Sequence, residues 1–334
     1  MSSGQGVTVC SLLSYPVELN MATLASRLNL SNVAEALTTS RQRRENVYGY
    51  LFLTPWLLGF FGLFIGPGLF SLYLSFTKYD VLSAPEWIGL DNYIKMFFED
   101  PLFYTSLGRT FYYAGVGVPL GVVGSMFLAI LLNAKLRGLA TYRTLFFMPS
   151  LVPIVASVVL WKWLLHADFG IINQWLVDLG WSDPPGWFGD RRWAIPSLIV
   201  MGLWQGLGGT RMIIFLAGLQ GIPESLYEAA SIDGASPIHK LRHVTIPLLT
   251  PTIFFNMVLG IIGGLQVFTA AFVATEGGPG FATTFYSLHL YRHAFDYWNM
   301  GYAASLAWFF AFVIVSLTIW QLRLSRRWVF YYGS

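Results

Sequence analysis

Cysteine is nearly missing: Cys10 is the one thiol in 334 residues. A single thiol excludes an intramolecular disulfide and a Cys-built metal cage. Charge is scarce too, at 11% Asp, Glu, Lys and Arg, where a soluble domain typically carries about 25%. No G-x-x-x-x-G-K-[ST] occurs, so the chain has no phosphate cradle of its own, and any ATP energy must come from another subunit. H-E-x-x-H, C-x-x-C and G-x-S-x-G are also absent, which leaves metalloprotease and hydrolase readings without a motif. The acids sit between the apolar runs and almost none inside them. An ion-coupled secondary transporter therefore lacks its coupling carboxylates, and a membrane-embedded enzyme lacks a His, Asp and Glu constellation at one depth. No basic segment leads into a compact apolar core near the start, so no cleaved signal peptide is expected.

Apolar residues are abundant: 55% of the chain, with 17% aromatic. Spans need about 20 apolar residues, and six runs qualify, at about 48–76, 110–132, 142–165, 193–219, 251–274 and 300–322. This predicts an all-α integral membrane protein whose cytoplasmic tail, residues 1–44, precedes a transmembrane domain, residues 45–334. Within the tail, Val17–Leu37 reads as a short amphipathic helix or a loose segment. Pro55, Pro67, Pro119, Pro149 and Pro153 fall in or at the ends of spans and predict kinks. With the N-terminus inside, Lys78, Lys95, Arg109, Arg191, Arg192 and Arg292 fall outside, against twice as many basic residues inside. Both termini are therefore expected in the cytoplasm of a multi-pass inner (plasma) membrane protein. The outer segments 77–108 and 166–192 mix polar and aromatic residues and should hold short interfacial helices. In the second span, Gly115, Gly117, Gly121, Gly124 and Ser125 permit close helix packing.

One polar stretch, residues 221–251, interrupts this pattern: GIPESLYEAASIDGASPIHKLRHVTIPLLTP. Its acids and bases cannot be centred in hydrocarbon, where each costs several kcal/mol, about 2.5–3.5 on insertion scales. It must be a folded loop outside the bilayer. Pro223 and Glu224 suit a first helical turn, Gly234 a left-handed stop, and Ser236-Pro237 a second N-cap with its first-turn proline. Two short helices and a sharp bend follow. The loop's small residues, Ala229, Ala230 and Gly234, leave room for another protein's surface.

Glu228-Ala229-Ala230, three residues, Gly234, nine residues, then Val244-Thr245-Ile246-Pro247 resembles the EAA loop of ABC importer permeases. Further motifs resemble the carbohydrate-uptake branch: Tyr73–Thr77, Trp87–Tyr93, Asp168-Phe169-Gly170, Gly277-Gly278-Pro279 and Gln321–Trp328. Within that branch the chain is similar to the maltose-type or glycerol-phosphate-type first permease. The resemblance implies a type I ABC importer-like permease: six transmembrane helices and a cytoplasmic EAA coupling loop, with no catalysis or cofactor of its own. It implies three partners: a second permease subunit, a cytoplasmic ATPase dimer and an extracytoplasmic solute-binding protein. Glu228, Ala229, Ala230, Asp233 and Gly234 would meet the ATPase. A sugar or sugar derivative would pass the spans flanking the loop, with Gly206, Gly209, Thr210, Arg211, Gly260, Gly264, Gln266 and Phe268 as candidate pathway residues. Glycines stand where maltose-type permeases place polar side chains, which leaves the substrate open. Arg211, roughly 12 Å from the inner end of its span at about 1.5 Å per residue, either donates into a lumen or snorkels and bonds backbone carbonyls. Lys162 reads as snorkelling, and His166 and Asp168 as parts of an outer loop that meets the binding protein.

Overall fold

The computed structural model describes residues 30–134 and 137–330, with side chains from residue 41 onward. The expectations for Cys10 and for the first part of Val17–Leu37 lie outside the described residues. The chain forms two units, divided in sequence between Phe70 and Ser71. In the first, α1 (Leu30–Gly59) passes through a π-turn (Phe60–Ile65) into α2 (Gly66–Leu74). The helix already runs through Arg41–Arg44, so residue 44 marks no break in the backbone. Trp56, Phe60 and Phe64 stack at 5.1 and 5.7 Å, an i, i+4 stripe. Exposed Leu58, Leu63 and Phe64 belong to a helix that is apolar all round, the pattern of a membrane span.

The second unit opens with a short antiparallel pair, β1 (Thr77–Lys78) and β2 (Glu86–Trp87), in the register Thr77 to Trp87. α3 (Asp91–Phe98) follows. Buried Asn92 donates from Nδ2 to the Ser75 and Thr77 carbonyls at 3.0 and 2.9 Å. The Trp87–Tyr93 motif is thus a structural pin. α4 (Phe103–Leu131) is the hub. Phe103, Ser106, Thr110, Ala114, Val118, Val122, Ser125 and Ala129 form its buried face, spaced three or four apart as a helix stripe requires. Among its glycines, Gly121 and Gly124 do permit close approach: a Cβ there would strike Arg211 Nη1 at 2.5 Å and Leu207 Cδ2 at 2.4 Å. Gly115 has open space beside it.

Two expected spans are broken. α5 (Leu139–Phe147) continues as a 3₁₀ turn (Met148–Leu151), then bends by 95° into α6 (Ile154–Leu164). Pro153 disfavours the helical conformation at Val152, which is extended at ψ 127°. After α7 (Ile171–Asp178), α8 (Ala194–Gly206) meets α9 (Thr210–Gln220) at a 49° bend. Gly206, Gly208 and Gly209 remove the side chains that would hold the turn straight. The two breaks face each other. Gln205 Nε2 donates to the Val152 carbonyl at 2.6 Å, and a Cβ on Gly208 would lie 1.9 Å from the Phe146 carbonyl oxygen.

The loop helices are α10 (Glu224–Ile232) and α11 (Pro237–Lys240). α11 runs through a π-turn (Leu241–Thr245) into α12 (Ile246–Leu265) without a break. This corrects the expected second short helix and the span at 251–274: the helix is Pro237–Leu265. Pro247 and Pro251 do not end it. The wide π-turn accommodates the Pro247 ring, and the Thr250 hydroxyl bonds the Pro247 carbonyl at 2.7 Å, replacing the donor that Pro251 lacks. α13 (Thr269–Thr275), α14 (Tyr286–Tyr291), another π-turn and α15 (Met300–Ser325) complete the order. Among the described residues, four helices are long and apolar enough to cross a membrane, or six when each bent pair is one span.

The facing breaks give a direct test. Gly208→Ala must displace backbone and should cost roughly 1–3 kcal/mol. Gly206→Ala, with nothing within 4 Å, should stay within about 0.5 kcal/mol. Thermal aggregation of the two variants in detergent measures the difference.

Candidate coupling loop and translocation cavity

The loop is stiff because each end of its turn is satisfied. α10 starts at Glu224, with Pro223 at the N-cap one residue earlier than expected. At its end Gly234 has φ +74°, which L side chains rarely adopt. Gly234 N–H donates to the Ser231 carbonyl and Ala235 N–H to the Ala230 carbonyl, at 3.1 and 2.9 Å, a Schellman stop. Ser236 then caps α11 by accepting from His239 N–H. Two side-chain bonds tie the hairpin together: Lys240 Nζ donates to Ser231 Oγ at 2.6 Å, and the Tyr227 and Thr245 hydroxyls meet at 3.0 Å. What remains outward is an exposed face. Glu228, Ala229, Asp233 and Gly234 are exposed, Ala230 is partly buried, and Ile232 is 87% exposed.

A cavity of about 320 Å³ lies between α4, α6, α8, α9, α12 and α13. Of the predicted pathway residues, Arg211, Gly264 and Phe268 line it. Gly260 stands one turn away, where a Cβ would be 3.5 Å from Arg211 Nη2. Gly206, Gly209, Thr210 and Gln266 do not line it. Gly209 packs towards Ser150 at the facing breaks, and exposed Gln266 caps α12. Phe268 stacks with Phe272 and meets Tyr291 at 5.4 and 5.1 Å between ring centroids, so its ring is held at the cavity wall. Tyr113 and Gly202 were not anticipated; a Cβ on Gly202 would touch the Tyr113 hydroxyl at 3.3 Å. In the sequence, Tyr113 reads as one more interfacial aromatic. Arg211 neither snorkels to a helix end nor bonds a carbonyl among the described residues; it faces this cavity.

In the 166–192 segment His166 stacks on Phe169 at 3.5 Å between ring centroids and receives the Asp168 N–H at Nδ1. Gly170 is required there, since a Cβ would lie 2.4 Å from the His166 carbonyl oxygen. A second cluster was not anticipated. Asp100 Oδ2 accepts from the Tyr302 hydroxyl at 2.6 Å and lies 2.7 Å from His289 Nε2. His293 Nε2 stands 4.0 Å from the same oxygen. The three ligand atoms lie within 4.8 Å of one another, close enough to surround a cation. The Asp100 oxygen is already engaged twice, however, and the arrangement is a hydrogen-bonded clamp between the α3–α4 turn, α14 and α15. Burial opposes the Asp100 charge, but the His289 and Tyr302 bonds outweigh it and hold the carboxyl well below the usual range. Burial, with His289 and Lys95 nearby, pushes His293 down to about 4.

Residues 110–330 match the family "binding-protein-dependent transport system inner membrane component". This chain belongs to that family. It is 41% identical over 304 residues to "probable ABC transporter permease protein YesP" of Bacillus subtilis, covering 90% of this chain and 97% of that one. It is 31% identical to the trehalose/maltose transport system permease protein MalF of Thermococcus litoralis, covering 87% and 97%. A bacterial ABC transporter for import of the acidic polysaccharide alginate shares the fold: TM-score 0.75 at 23% identity, covering 85% and 96%. The protein is a multi-pass ABC importer permease and a non-catalytic transport subunit.

The clamp should make this face of the permease sensitive to acid. His293 must stay neutral when folded, so its contribution is present above the ordinary histidine value near 6.5 and lost as pH falls towards 4. Asp100, also depressed, adds a loss below about 3.8. Thermal stability of the purified complex should therefore fall from pH 6.5 to pH 4, and His293→Asn should flatten that part of the profile.

Proposed function

We propose that this permease forms one half of the translocation pathway of an ATP-driven importer for a sugar or sugar derivative. A second, different permease supplies the other half, a cytoplasmic ATPase dimer grips the EAA loop, and an extracytoplasmic binding protein delivers the cargo. Both termini would lie in the cytoplasm. Relatives named for trehalose/maltose and for lactose transport support a sugar cargo. The observation that carries the reading is the braced hairpin. Its exposed Glu228-to-Gly234 face is joined through α11 to the helix that walls the cavity. ATPase closure would pull this hairpin and turn the cavity between its two openings. An ion-coupled mechanism finds no support in the cavity, which no Asp or Glu lines.

Gly234 tests the reading. Nothing lies within 4 Å of a Cβ built there, so a larger side chain meets only what docks from outside, apart from the strain of positive φ. Gly234→Leu should insert and assemble, yet lose at least about tenfold in transport and in cargo-stimulated ATP hydrolysis. Uptake at the wild-type rate would contradict ATPase docking on this face.

A further inference from the structure

We propose that the cargo of this importer is an anionic sugar, a uronate or comparable acid, whose acidic group is received by Arg211. The inference rests on the importer reading above and names its substrate class. The cavity wall is almost wholly apolar or glycine: its side-chain polar groups are the Arg211 guanidinium and the hydroxyls of Tyr113 and Thr269. No acid lines it, and Arg211 makes no ion pair or hydrogen bond with any described residue. Its one electrostatic neighbour is Tyr113, a neutral hydroxyl.

Two glycines make room for the guanidinium. Gly121 of α4 and Gly260 of α12 flank it, with Nη1 2.5 Å and Nη2 3.5 Å from the positions their Cβ atoms would take. A side chain at Gly121 would displace it. It therefore sits at the end of the cavity nearer the coupling loop, while Phe268 and Thr269 stand towards the other end.

The surroundings add positive potential. Arg211 is in the first turn of α9, where the helix dipole is itself positive. A cation is ordinarily avoided at that end of a helix and inside a membrane. With no acid supplied by the described residues, the neutralising charge is taken to arrive from elsewhere, and the cavity is the open approach. A sugar hydroxyl would accept a hydrogen bond and leave the charge uncompensated. A carboxylate accepts two parallel N–H bonds from the planar guanidinium and neutralises it. The Phe268 ring then offers an apolar face to a pyranose, and the Tyr113 and Thr269 hydroxyls serve its remaining oxygens.

The test uses the whole transporter in proteoliposomes with its binding protein. The probes are disaccharides containing glucuronate, galacturonate, mannuronate or guluronate, each beside its neutral methyl ester. ATP hydrolysis should be stimulated at least tenfold more by one or more of the acids than by the matching ester. Arg211→Gln should abolish that difference in a complex that still assembles, and Arg211→Lys should restore part of it. Equal stimulation by esters, or none by any acid in a complex that contains its ATPase, overturns the proposal. So does failure of Arg211→Gln to assemble, which would mean that the second permease supplies the neutralising acid. If neutral sugars stimulate, the importer reading stands and only the charge assignment fails. If no ATP-hydrolysing subunit accompanies the wild-type chain, the importer reading itself fails.

Discussion

The helix Pro237–Leu265 is unbroken, and the rest of the mechanism depends on that continuity. At about 1.5 Å per residue it is a rod of roughly 43 Å. One end is the second half of the EAA hairpin; the other carries Gly260, Gly263 and Gly264 past the Arg211 guanidinium and the cavity. Two prolines inside it would ordinarily break such a rod. The π-turn at Leu241–Thr245 and the Thr250 bond to the Pro247 carbonyl preserve it. In the proposed mechanism, a displacement at the hairpin would reach the cavity wall as rotation or tilt of this single body.

The opposite wall is built on the reverse principle. α8 and α9 break at Gly206–Gly209, and α5 and α6 break at Val152–Pro153. The breaks meet, with Gln205 bonding the Val152 carbonyl and Gly208 seated against Phe146. Irregular backbone at membrane depth is tolerated where it is covered by protein or lines a cavity, and these two segments cover each other. The pairing lets α9 start inside the span and brings Arg211 to the cavity. The Asn92 pin and the Asp100 clamp fix the short helices α3 and α14 to their neighbours. The proposed mechanism thus sets a continuous helix against a jointed wall.

The hairpin was legible in the sequence because its signals are local. Pro223, Gly234 and Ser236-Pro237 each dictate backbone geometry within a turn, and the structure places them within one residue of expectation. The span limits were less legible. Leu265 and Val267–Ala274 are equally apolar, so hydropathy cannot mark where α12 stops; only Gly263, Gly264 and Gln266 hint at it. Prolines 149 and 153 announced a kink, but the 95° turn depends on packing against Gly208 and Gln205 fifty residues away. Arg211 stood out as a charge in an apolar run. Tyr113 did not, because an aromatic near a membrane interface is ordinary, and Asp100, His289 and Tyr302 are brought together only by the fold.

Contact between the hairpin and an energy-supplying neighbour is the claim on which the mechanism turns. A photo-activatable side chain at Ile232, 87% exposed beside Gly234, would report it directly in the intact membrane complex. The account predicts an adduct with the ATP-hydrolysing subunit whose yield changes when ATP is trapped. An adduct with the external binding protein, or none with any ATPase, would contradict it.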